Sequence, residues 1–389
     1  MDGKQIVCLQ IHNDYQITGG ETKTAFLIAD LLERNGIKVI RYYKTNMEYA
    51  TDRSILGKIK NGMRALNNPQ TSRDINEILD KENVDFALVH NVVSVISNSA
   101  YHTLIKRGIP IIKYLQNYNL FCLNGAQDHG EYCVKCRNNK LIGVRLKCYK
   151  ESAVYSFIKY LIKKDMDKRI LPNISAFMPN SEFVMNKHIE QGFDSGKMNV
   201  MYNYVDISQI PYEGERDYYL FFGRLSKEKG VLTTINAFKK IQDKKLIIMG
   251  SGILEEEVKS TINESNNIEF IGSREGIELL EYVAKAKAVI VPSEWDEPLP
   301  RTILEAYSQG TPVVGANRGG IPELIVEGET GFVFEAGNID SLLDGIKKME
   351  EQNDSSYQQI RAKCLSRLKQ EYTEMAYYER FMKCVKEII

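Results

Sequence analysis

The chain alternates short apolar runs with segments of helical spacing, and that alternation leaves few folds open. Residues 5–11, Lys38–Tyr43, Asp85–Val89, Pro110–Leu115 and Ala176–Met178 read as strands. They are as long as strands and carry little polar alternation, the pattern of parallel strands covered on both faces. Helical segments separate them: Glu21–Asn35, ended by Asn35-Gly36, then Arg73–Lys81, Ser97–Lys106 and 182–191, which Ser181 is placed to cap. A second series begins near residue 218. Its strands are Tyr218–Phe222, Lys245–Met249, Ile268–Ile271, Ala288–Val291 and Pro312–Gly315. Its helices are Gly230–Lys240, 253–263, Ile277–Ala286 and Thr302–Gln309, followed by a long helical region to the end. Two successive doubly wound α/β domains account for both series, and 389 residues suit two domains. The boundary is expected near 205–217, a polar stretch holding Pro211 and Gly214.

Composition then narrows the function. Lys+Arg and Asp+Glu are equal at 51 each, which argues against a general nucleic-acid binder. The first residues turn polar at His12-Asn13-Asp14 and read as no signal peptide, and no run of 18 apolar residues offers a membrane span. The expectation is a cytoplasmic chain whose seven cysteines are thiols or metal ligands.

Ligands of open parallel sheets sit outside the carboxyl ends of the strands, so the loops after the strands carry the chemistry. The block from Pro292 to Ala306 leaves one strand and opens a helix, with Glu297 in the loop and Glu305 within the helix. Their carboxylates can lie roughly 10 Å apart at the rise of a helix. A helix N-terminus between them favours a diphosphate. Hydroxyls at both ends and a charged middle are the layout of a nucleotide sugar. A second block, Phe222-Gly223-Arg224-Leu225-Ser226-Lys227-Glu228-Lys229-Gly230, leaves another strand with Arg224 and Lys229 at the turn. Arg as a fork and Lys as a point charge can neutralise a diphosphate.

With FFGRLSKEKG, EWDEPLPRTILEAYSQGTPVVGANRGGIPELI and GETGFVF in place, the chain resembles the group-1, family 4 retaining glycosyltransferases of the GT-B fold. The Gly19-Gly20 loop, the Val89-His90-Asn91 segment and Asn203 agree with that resemblance. It implies two Rossmann-like doubly wound domains facing a central cleft. Residues 1–205 would bind the acceptor, with a cysteine-rich basic insertion at about 121–169. Residues 206–372 would bind the nucleotide sugar, and a helix over 373–389 would pack back on the first domain. Glu297 would contact the donor sugar and Glu305 its ribose, while Arg224 and Lys229 would hold the diphosphate. Gly19 and Gly20 would admit the donor phosphate, and Gly250 and Gly272 would lie by the nucleoside. Leu299, Pro300, Arg301 and Thr302 would line the sugar and phosphate, and Gly319-Gly320 would shape another loop. Catalysis would need no metal, and the donor would be UDP- or GDP-linked.

Two positions depart from the family pattern. Gln116 stands where relatives usually have a His near the sugar, and it can hydrogen-bond but not titrate. Pro300 replaces a common Gly and has no N–H to offer. The insertion adds two features. Cys122, Cys133, Cys136 and Cys148 have spacing that could hold a structural zinc. Residues 135–169 carry eleven Lys/Arg against three acids, interleaved with apolar side chains, which reads as an amphipathic surface for anionic lipid. The functional expectation is transfer of a sugar from a nucleotide-diphosphate sugar to a glycan or lipid-linked acceptor in cell-surface polysaccharide synthesis, at the inner face of the cell membrane. The alternative is a catalytically impaired sugar-nucleotide-binding partner of another transferase.

Overall fold

The computed structural model describes residues 5–14, 20–45, 55–93, 95–125, 133, 135–136, 139–205, 210, 212 and 214–389, with backbone alone for 20 and 55–60. The chain divides into two compact units, Met1–Met201 with Tyr378–Ile389, and Tyr202–Tyr377. No described helix is long and apolar enough to cross a membrane.

The first unit runs β1 (Val7–Asp14), α1 (Gly20–Arg34), β2 (Lys38–Thr45), α2 (Ile55–Leu66), α3 (Pro69–Lys81), β3 (Phe86–Val89), α4 (Ser99–Lys106), β4 (Ile111–Leu115), α5 (Leu141–Arg145), α6 (Ala153–Asp165), β5 (Ala176–Pro179) and α7 (Glu182–Ile189). Its five strands are parallel in the order β2-β1-β3-β4-β5. The strands β3 and β4 are buried throughout, as the apolar run of β3 requires, although β4 buries Lys113 among its apolar residues. Polar caps fix where helices start. Asn68 accepts from the Gln70 N–H at 3.2 Å ahead of Pro69, and Ser181 accepts from Val184 at 3.1 Å.

The second unit runs β6 (Tyr218–Phe222), α8 (Val231–Phe238), β7 (Lys245–Met249), α9 (Glu255–Ile262), β8 (Ile268–Phe270), α10 (Gly276–Lys285), β9 (Ala288–Val291), α11 (Arg301–Ser308), β10 (Val313–Ala316), α12 (Ile321–Leu324), β11 (Gly331–Phe334), α13 (Ile339–Glu350) and α14 (Asp354–Glu371), then α15 (Glu374–Ile388), whose first turn ends the unit. Six parallel strands lie in the order β11-β10-β9-β6-β7-β8. Both sheets thus have the strand orders of nucleotide-binding doubly wound folds, and the order reverses between β1 and β3 in one unit and between β6 and β9 in the other.

Three features differ from the sequence expectation. Gly331–Phe334 forms a sixth strand, β11, which its opening glycine and the turn residues before it hid. The long helical end is three helices, because Asn353 caps α14 and the Thr373 hydroxyl accepts from Ala376 at 3.1 Å to start α15. Helix α6 has inverted polarity: Ser156, Lys159 and Lys163 are buried, while Val154 and Phe157 are exposed. Lys159 and Lys163 therefore do not belong to the basic surface expected to meet anionic lipid.

Candidate functional site

In the second unit, the switch between β6 and β9 brings together the two loops that the motifs occupy. Strand β6 delivers Gly223 and Arg224, and a single turn over Lys227–Lys229 leads into α8. Strand β9 delivers Pro292–Pro300, which ends at α11. The loops are tied by the Glu294 N–H donating to the Glu228 carbonyl at 2.9 Å.

The ammonium of Lys229 forms an ion pair with the Glu297 carboxylate. The same Oε2 accepts from the Trp295 indole N–H at 3.0 Å and from the Ser293 hydroxyl at 3.4 Å. Lys229 also lies 5.8 Å from the centroid of the Trp295 ring. Glu297 is 9% exposed, so its charge is held by these donors and little by water. Its peptide is fixed from a third loop. Gly320 N–H donates to the Glu297 carbonyl at 2.8 Å, and Gly319 sits at φ +58° against the same peptide. A Cβ on Gly319 would lie 2.0 Å from that carbonyl oxygen, so only glycine fits.

The remaining expected donor-site residues fall around this center. Arg224 is exposed on the β6 loop. Leu299 is buried, and Pro300 takes the N-cap position of α11, where no side chain caps the first turn. Thr302 lies in that turn. Arg301 Nε is 3.9 Å from a Glu305 oxygen, and its guanidinium donates to the Tyr204 carbonyl at 3.3 Å. Gly250, at φ +148°, lets the turn after β7 press on Gly223, where a Cβ would come within 1.9 Å of the Gly223 oxygen. Gly272 follows β8, and its carbonyl accepts from Gly250 at 3.0 Å. Trp295 and Ser293 were not singled out by sequence reasoning. Their place beside Glu297 in the same loop was the available signal.

In the first unit, the switch between β1 and β3 presents Asn13, Asp14, His90 and Asn91. Gly19 lies outside the described residues, and Gly20 opens α1. His90 is fully buried, its Nε2 2.9 Å from the Gln10 amide, and burial holds its pKa well below the usual value. Burial likewise lowers His12 to about 4, with Lys113 adding to the effect and Asp14 opposing it. Gln116 follows β4, and its buried amide nitrogen has no partner among the described residues. Next to it, Asn117 donates to Glu21 at 3.0 Å.

The four cysteines of the insertion are half-buried free thiols. Burial pushes Cys148 up to about 11, helped by Cys136, Cys122 and Cys133, so the four are neighbors. Among the described residues, however, no group of three His, Cys, Asp or Glu is arranged to hold a metal ion. The zinc expectation finds proximity without a ligand set.

A sulfoquinovosyl transferase of Arabidopsis thaliana is 30% identical over 140 residues, 35% of this chain and 27% of that one. An N-acetylgalactosaminyltransferase of Campylobacter jejuni, named for a diphospho-undecaprenol substrate, is 26% identical over 231 residues, 55% of this chain and 61% of that one. The chain thus spans about a quarter of the plant relative and under two thirds of the bacterial one. Anabaena HepE, solved with UDP and with UDP-glucose, superposes over 98% of this chain and all of that one. Its complex with UDP gives a TM-score of 0.68 at 17% identity. Two Rossmann-like parallel-sheet units of the GT-B kind are therefore the fold, and residues 206–364, which carry the Lys229–Glu297 center, match the family profile of glycosyl transferases group 1.

Proposed function

We propose that the chain is a retaining glycosyltransferase that moves a hexose from a nucleotide-diphosphate sugar to a glycan or lipid-linked acceptor in cell-surface polysaccharide synthesis. The observation that carries this reading is the Lys229–Glu297 pair at the switch point of a dinucleotide-type sheet, beside an uncapped helix start. Such a place gathers fixed positive charge where a diphosphate would sit. A relative named for a diphospho-undecaprenol substrate and a like-folded protein solved with UDP-glucose support the substrate class.

Bond cleavage at the donor leaves negative charge on the nucleotide diphosphate while the sugar becomes oxocarbenium-like. Lys229, Arg224 and the α11 N-terminus stabilize that leaving charge without metal. Glu297, released from Lys229 by the incoming diphosphate, accepts hydrogen bonds from sugar hydroxyls. Glu305 does the same for the ribose. Gln116 offers its unpartnered amide to the transferred sugar, a hydrogen-bonding role that needs no titratable ring. The acceptor belongs to the first unit. The exposed Val154 and Phe157, with Lys164 and Lys168 nearby in sequence, rest on an anionic membrane at the cytoplasmic face.

Thermal shift with UDP, GDP and their sugar conjugates tests this reading. Ligand at a hundred times its Kd should stabilize the wild type by ~2.7 kcal/mol. Lys229→Ala and Glu305→Ala should lose most of that shift. No stabilization of the wild type by any nucleotide at millimolar concentration would refute the reading.

A further inference from the structure

Helix α6 points two of its three lysines, Lys159 and Lys163, inward. Lys159 and Lys163, with Lys113 of β4, line one cavity in the first unit, and each is 7% exposed or less. Among the described residues none of the three makes an ion pair. Lys163 donates to the Leu120 carbonyl, and Lys113 donates to the carbonyls of His90 and Val89. Lys159 lies 4.8 Å from the centroid of the Tyr149 ring. Carbonyls and a ring face supply no countercharge, and burying unmatched cations is costly. Burial accordingly lowers the ammonium pKa to about 8 at Lys113 and Lys159 and about 7 at Lys163. Glu21 is the one carboxylate among the described wall residues, and Asn117 donates to it; its charge favors the Lys113 ammonium, as that of Asp167 favors Lys163, without outweighing burial.

A separate observation agrees. Tyr101 is fully buried on the same wall, and its hydroxyl has no partner among the described residues. Three lysine amino groups and a hydroxyl line the cavity, all can donate, and an anion would favor the protonated form of each lysine. A ligand that satisfies them carries several acceptor oxygens and more than one negative charge. A phosphate or pyrophosphate has both, and a single carboxylate falls short in charge.

The geometry points to an anion pocket formed by Lys113, Lys159, Lys163 and Tyr101 that takes the phosphate or pyrophosphate group of the acceptor. That the ligand is an acceptor rests on the transferase reading, whereas the pocket does not. The same helix that sends two lysines inward turns Val154 and Phe157 outward, so the phosphate can belong to a free ester or to an apolar chain.

The test is a calorimetric titration of full-length Lys229→Ala with inorganic pyrophosphate, in which the second unit's diphosphate site is disabled. Saturable binding with one site per chain is expected. Adding Lys163→Met should weaken it tenfold or more while the thermal midpoint holds or rises, because an apolar side chain replaces an unmatched buried cation. Tyr101→Phe removes only the hydroxyl and should weaken binding several-fold with the fold intact, which keeps the test valid if Lys163→Met does not fold. Absence of binding, or affinity unchanged in Tyr101→Phe and Lys163→Met, would overturn the pocket. Farnesyl pyrophosphate binding at least tenfold tighter than pyrophosphate assigns the group to a lipid, and equal affinity assigns it to a free ester. Failure of every nucleotide tested to stabilize the wild type would remove the transferase reading and leave this titration untouched.

Discussion

The two units hold their key lysines in opposite ways. Lys229 in the second unit is partly exposed and faces a carboxylate, with Trp295 and Ser293 completing the shell around Glu297. Lys113, Lys159 and Lys163 in the first unit are buried against carbonyls and a ring. One site pairs its cation with a carboxylate, and among the described residues the other does not. A closed pair can be stable and still serve a ligand, provided the ligand replaces the carboxylate. Unmatched buried cations weaken the fold, which points to selection by something other than stability.

The comparison breaks most visibly at Lys229. Lys229→Ala should lower the transfer rate by ~10²–10³, the range for removing one group that stabilizes developing negative charge, and a steady-state assay with the identified donor measures it. A loss of under about tenfold would mean that Arg224 and the α11 N-terminus carry the charge alone.

The next effect is conformational. Gly319→Ala places a Cβ against the Glu297 carbonyl in a backbone region that disfavors side chains. It should cost ~1–3 kcal/mol of stability by thermal melting and displace Glu297, lowering nucleotide affinity. Gly36→Ala, also at positive φ but with open space around it, is the control. Equal effects at the two positions would show that backbone strain alone, and no coupling to Glu297, explains the loss.

The last effect separates the units by acid. All five histidines lie in the first unit, and burial lowers His12 and His188 to about 4. Their folded pKa lies below the unfolded value, so the unfolded chain binds more protons between pH 6.5 and 4. Stability is then lost as pH falls through that window, by up to about 1.4 kcal/mol per pH unit for each group. Hydrogen exchange followed by unit should show the first unit loosening before the second. The reverse order would put the acid-sensitive groups elsewhere.

Much of the fold was legible because parallel strands buried on both faces read as plain apolar runs: YYLFF, KLIIM and AVIV fall where the strands are. GFVF is as long as AVIV, but it opens on a glycine directly behind the turn residues Gly328-Glu329-Thr330 and so reads as loop. The site was legible as membership and not as pairing. Glu297 and Lys229 both stood out by position after a strand, but their ion pair joins residues 68 apart in sequence. The inward lysines were hidden for a different reason. A Lys-rich helix with aromatic residues suggests charges outward, and only packing shows that Ser156, Lys159 and Lys163 share the covered face. Their spacing of three and four was the signal, once it is asked which stripe is buried.

The carboxylate of Glu297 has a further consequence on the proposed reading. It is a tethered competitor for the cation that the diphosphate needs. Each catalytic cycle then begins and ends with an exchange of anions on Lys229, and the returning Glu297 helps to expel the spent nucleotide. Replacing Glu297 by Gln would slow product release and make the enzyme more easily clogged by its own by-product, even as it tightened the hold on the nucleotide.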